Sequence, residues 1–161
     1  MRLHNKHMRN MHRCTGFAIL LVVVGACAPA PRQAGGAGDG AVQSQISAML
    51  ARSAAAWNRG DLDAFVSDYL DSDRTTYIGR RGVIHGRAAI RAVYAPRFTT
   101  PGAQDSLSFD RLEVDSLAPG VINVIAEYVL SRGDSTVARG PTSLVMEWVD
   151  GRWQIVHDHS S

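Results

Sequence analysis

Positions Val42, Ile46, Met49, Leu50, Ser53 and Trp57 recur at steps of three and four, and Ala51, Ala54, Ala55 and Ala56 between them favour the helical state. Gly60 closes this helix as a left-handed C-terminal residue. Asp61 then caps a second, short helix with Asp63 in its first turn and a stripe of Leu62, Phe65, Val66, Tyr69 and Leu70. The period next drops to two. Thr75–Ile78 and Val83–His85 read as paired strands around a turn at Gly79–Gly82. Gly86 leads into a third helix, Arg87–Tyr94, with Ile90, Val93 and Tyr94 on one side, and Pro96 stops it. The remainder is strand after strand: Leu107–Phe109 with Leu112–Leu117, Val121–Leu130, Thr136–Val149 and Trp153–His159. Gly133-Asp134 and Asp150-Gly151 are the tight turns. This order predicts an α+β domain with helices packed on one face of an antiparallel sheet.

The first forty residues follow a different pattern. Arg2, Lys6, Arg9 and Arg13 precede an apolar run from Phe17 to Val24, which is shorter than the roughly 20 apolar residues that a membrane span needs. Basic residues, a short apolar core and then small residues make a secretory signal. Val24-Gly25-Ala26-Cys27 resembles the bacterial lipobox, so residues 1–26 are expected to be removed and Cys27 to carry lipid. The competing reading is a single-pass anchor in which Cys27 is an ordinary small residue. Residues 27–40 are rich in Ala, Gly and Pro and are expected to form a flexible tether of about 20 Å. The folded domain is then 41–161. The reading is of an exported protein held to a bacterial membrane by its lipid alone.

Cleavage changes the charge. Of 17 basic residues four lie in 1–26, so 13 remain against 15 acidic ones, and the formal charge falls from +2 to −2. The domain then lacks the overall basic character of a nucleic-acid binder. With Cys14 in the signal and Cys27 lipidated, no disulfide is available inside the domain. No Gly-rich phosphate loop, nucleophile elbow or Cys-based metal motif occurs, and no cofactor is expected.

Particular residues carry a family resemblance. They are Trp57-Asn58-Arg59-Gly60-Asp61-Leu62-Asp63, Tyr69-Leu70-Asp71, Gly86-Arg87 with Ile90-Arg91, and the closing stretch Asp150 to Ser160. Together they resemble the nuclear transport factor 2-like superfamily and its SnoaL-like domains, over nearly all of 41–161. The resemblance implies a cone: a curved antiparallel or mixed sheet with three N-terminal helices on its concave face. It implies no single activity, because isomerases, cyclases, dehydratases and non-catalytic association modules share this scaffold. Ketosteroid isomerases of the fold use an Asp base with a Tyr and a protonated Asp as oxyanion hole. Those positions fall on Tyr77 or Ile78, near Ser53 and near Leu144, so that chemistry is not expected here.

The last hairpin assigns a face. A two-residue turn at Asp150-Gly151 opposes Trp148 to Trp153, Met146 to Ile155 and Leu144 to His157, with His159 continuing the row. This apolar face should lie under the helices, which turns both histidines into the pocket. Three readings stand for them. They close the sheet structurally, they contact a ligand as acid, base or hydrogen-bonding groups, or they join His85 as metal ligands. Trp57 reads as core or as a wall for a ligand, and Tyr77 as a pocket group. Arg87 is expected to fix the start of the third helix. A bulge near Gly140-Pro141 would set the face of Glu127. Two functions follow. The first is a pocket for an unidentified small molecule, lined by His157, His159, Tyr77 and Trp57. The alternative is a dimeric association module built on the outer sheet face with Val145, Val149, Val156, Glu147 and Gln154.

Overall fold

In the computed structural model, residues 37–80, 82–99 and 105–161 are described. The signal, Cys27 and the tether up to residue 36 lie outside them. α1 spans Ala37–Arg59, so it starts inside the stretch expected as tether. α2 is Leu62–Val66, and the Asp61 side chain accepts from the Ala64 amide at 3.0 Å. A hairpin of β1 (Thr76–Gly79) and β2 (Gly82–His85) leads to α3 (Arg87–Tyr94) and a 3-10 turn at Ala95–Phe98. The four long strands are β3 (Ser106–Ala118), β4 (Val121–Arg132), β5 (Ser135–Val149) and β6 (Arg152–Ser160). Among the described residues no helix is long and apolar enough to cross a membrane.

The strands form one six-stranded curved sheet in the order β2-β1-β6-β5-β4-β3, open at both edges. Among the described strands only β1 against β6 pairs parallel, so the sheet is mixed. The inner face carries Ile122, Val124 and Ala126 of β4 opposite Met146, Leu144 and Thr142 of β5, all buried. Against it pack Ile46, Met49, Leu50 and Trp57 of α1, Phe65 of α2 and Ile90 of α3. Asn58 fastens helix to sheet: its amide donates to the Leu107 carbonyl at 3.0 Å and its Oδ1 accepts from the Leu107 N–H at 2.7 Å. Arg87 ion-pairs with Asp71, which ties the start of α3 to the segment after α2.

Two bulges decide what faces inward. At Arg111, held at φ 50°, β3 gains one residue and the inward set changes from Leu107 and Phe109 to Leu112 and Val114. In β6 the pairing passes from Met146↔Ile155 to Val145↔His157, leaving Val156 as the extra residue. An extra residue exchanges the faces for everything beyond it. Asp158 and Ser160 therefore oppose Leu144 and Thr142 on the inner face, while His157 and His159 oppose Val145 and Ser143 on the outer one. The expected pairing of Leu144 with His157 is corrected here. The hairpin itself is as expected, with Asp150 and Gly151 at φ 52° and 77° and Trp148 opposite Trp153.

No shift occurs at Gly140-Pro141. Glu127 pairs with Pro141 and faces outward, where Arg139 reaches it at 2.9 Å; the β5 irregularity lies nearer the turn, between the Leu130 and Ser131 pairings. Gly140 has another purpose. A Cβ there would stand 1.9 Å from the Ser161 carbonyl and 3.0 Å from the Tyr128 ring, so a side chain would displace the last residue.

Candidate functional site

Between the helices and the inner sheet face is a hollow of about 450 Å³, within the range of small-molecule sites. Its wall is largely apolar, part aliphatic and part aromatic. Trp57 packs edge-on to Phe65 and Phe98 at centroid distances of 5.3 and 5.1 Å, and Phe65 meets Tyr94 at 5.0 Å. Trp57 and Tyr77 both line the hollow. Trp57 is also core, 4% exposed, with its indole N–H on the Asp105 carbonyl at 2.8 Å.

The polar end of the hollow is Asp158, also 4% exposed. Tyr69 donates its hydroxyl to one carboxylate oxygen at 2.5 Å. Ser160 donates to the other at 2.7 Å, and Thr142 lies 2.8 Å from Ser160 and 3.4 Å from the same carboxylate oxygen. Tyr69 is set in place by backbone bonds on either side: Leu70 N–H to the Ile155 carbonyl at 2.9 Å, and Ile155 N–H to the Asp68 carbonyl at 2.8 Å. Burial raises the Asp158 carboxyl above the usual aspartate value, and the hydrogen bonds from Tyr69, Ser160 and Thr142 oppose that rise. Burial, with the nearby Asp158 charge, holds the Tyr69 and Tyr94 phenols well above their usual value, so both remain donors. The Tyr94 ring lies 5.5 Å from that of Tyr77, and both rings line the hollow with Tyr69.

The histidines are elsewhere. The His157 Nδ1 is 2.6 Å from the Thr76 hydroxyl on the outer face, and His159 is exposed. Thr76 pairs with both His85 and His157, so it stands between the two imidazoles in the sheet row. Among the described residues no three His, Cys, Asp or Glu side chains come together as a metal site would require. Asp158, Tyr69 and Tyr94 replace the histidines as the hollow's polar groups. The apolar stripe marked Tyr69 and Tyr94 as inward-facing, but nothing local marked their hydroxyls as partners of a carboxylate.

Residues 46–161 match the sequence profile of the SnoaL-like domain. No curated protein matches the chain. Among solved structures, an NTF-2 like protein of unknown function from Shewanella oneidensis MR-1 is 29% identical at a TM-score of 0.68, covering 74% of this chain and 98% of that one. A domain of unknown function with a cystatin-like fold from Nostoc punctiforme PCC 73102 is 22% identical, with a TM-score of 0.63 and coverage of 75% and 76%. An NTF2-like protein of unknown function from Pseudomonas putida KT2440 is 18% identical, with a TM-score of 0.61 and coverage of 76% and 87%. The last two are alike in fold alone.

Proposed function

The chain belongs to the SnoaL-like domain family, and from that premise we propose that its cone binds a small, largely apolar molecule whose polar group meets Asp158. The observation that carries this reading is a carboxylate buried to 4% exposure at the inner end of an aromatic hollow of about 450 Å³. Burying an ionised carboxylate costs several kcal/mol before its hydrogen bonds are counted. A core built only for stability gains nothing from one beside an unfilled space. With Tyr69 on one oxygen, Asp158 can take a proton from a bound molecule or hold a donor in place.

The test uses 2-naphthol and the fluorescence of Trp57 in the full-length chain carrying Trp148→Phe and Trp153→Phe. A saturable change is expected. It should vanish in Ala138→Phe, which places a ring in the lining where Ala138 is exposed and leaves Trp57 the sole tryptophan. No saturable change in the parent, or an undiminished one in Ala138→Phe, contradicts the pocket.

The reading includes export and a lipid on Cys27, supported by the Val24-Gly25-Ala26-Cys27 pattern. A palmitate analogue fed to the cells should label the protein. Cys27→Ser should abolish the label and Cys14→Ser should leave it unchanged. Label persisting in Cys27→Ser would remove the anchor.

A homodimer through the outer sheet face is also proposed. Glu147 is already held by Arg74 and Gln154 by Arg152, which leaves Val145 and the 40%-exposed Ile125 as the apolar centre of that face. By light scattering, residues 41–161 should run as a dimer and Ile125→Arg as a monomer. A monomeric parent at tens of micromolar would contradict the dimer.

A further inference from the structure

The hollow has charge at both ends, and the two ends differ in sign. Arg80, just after β1, and Arg97, in the 3-10 turn after α3, both line it and are exposed, which puts them on its solvent side. Six other arginines are matched to carboxylates, Arg59 to Asp61, Arg74 to Glu147, Arg87 to Asp71, Arg91 to Asp63, Arg132 to Asp105 and Arg139 to Glu127, whereas Arg52, Arg111 and Arg152, none of which lines the hollow, form no ion pair among the described residues. Neither Arg80 nor Arg97 has a carboxylate partner among the described residues. Arg97 does not simply trail into solvent. Its guanidinium lies 5.8 Å from the centre of the Trp57 ring, and its charge lowers the Tyr77 phenol against the larger effect of burial. The solvent side of the hollow therefore carries two guanidiniums, and its buried wall carries a carboxylate among apolar and aromatic side chains.

Resting on the pocket reading above, we propose that the ligand is an aromatic or alicyclic carboxylic acid. Its carboxylate sits at the opening against Arg80 and Arg97, and a hydroxyl or other hydrogen-bond donor points inward to Asp158. The reverse orientation would set two carboxylates against each other in a site shielded from water, where like charges repel most strongly. A guanidinium in turn offers a carboxylate a planar, bidentate partner. The polarity of the hollow thus selects both the chemical class and the direction of entry.

The probe is 6-hydroxy-2-naphthoate, compared with its methyl ester and followed by fluorescence anisotropy on the full-length chain at neutral pH. The acid should bind at least tenfold more tightly than the ester. Arg80→Gln and Arg97→Gln should each weaken the acid several-fold and leave the ester unchanged. Both arginines are exposed, so neither change should disturb folding, and an unaltered melting temperature would confirm that. Equal affinity for acid and ester, or equal losses in the arginine variants, would overturn the acid preference while 2-naphthol binding leaves the pocket standing. Failure of acid, ester and 2-naphthol together would overturn both.

Discussion

Trp57→Ala is expected to lower the unfolding free energy by about 3–5 kcal/mol, the range for removing a large aromatic from a packed core. The indole contacts elements far apart in the chain. It meets Phe65 of α2, Tyr94 of α3 and Phe98 of the 3-10 turn, with ring centroids at 5.3, 6.2 and 5.1 Å. Its N–H also satisfies the Asp105 carbonyl just before β3. Truncation would join the vacated volume to the existing hollow, so the site cannot collapse to recover the loss. Trp57→Phe keeps most of the packing and gives up the hydrogen bond, worth about 1 kcal/mol. Urea denaturation separates the two. A loss under about 1 kcal/mol for Trp57→Ala, well below the core range, would mean that the three helices are not held together through this ring.

Asp158→Ala should rank second. It leaves the Tyr69 hydroxyl buried without its acceptor, a loss of roughly 1–3 kcal/mol, whereas Ser160 and Thr142 can still bond each other. Asp158→Asn keeps an acceptor for Tyr69 and isolates the charge. Because burial raises the folded-state value of Asp158 above its ordinary one, the folded chain holds that proton more tightly than the unfolded chain. The contribution of this group is then most favourable below the unfolded value. It is lost as pH rises through the folded value. Wild type minus Asp158→Asn should therefore show relative stability increasing as pH falls across that window. Glu147, lowered by Arg74, acts in the opposite sense, and for that reason the difference is the quantity to measure. A flat difference, or one of the opposite sign, would contradict the burial of an ionisable Asp158.

Periodicity located α2, α3, the β1–β2 hairpin and the long strands to within a few residues, because each has one buried face and well-marked ends. Asp61 and Asp150-Gly151 carried particular geometry: a capping hydrogen bond and a turn with positive φ. The exchange of faces in β3 also leaves a trace, since the apolar positions step from Leu107 and Phe109 to Leu112 and Val114. In β6 there is no such trace. Ile155 and Val156 are both apolar and both buried, so the extra residue is hidden, and alternation counted from the turn places His157 inward. One hidden residue exchanged two histidines for an aspartate. The partnership of Asp158 with Tyr69 was beyond local pattern for a different reason: 89 positions separate them, and the bridge between Tyr69 and Ile155, with Arg152 on the Ser67 carbonyl, brings the end of α2 onto β6.

That Asp158, not His157 or His159, forms the inner end of a ligand-accessible hollow is tested most directly by a carbon-13 NMR titration of its carboxyl, with and without saturating 2-naphthol. The midpoint is expected above 3.8 in the free protein and displaced when the hollow is filled. A midpoint at or below 3.8 that does not respond to a bound probe would place this carboxylate outside the site.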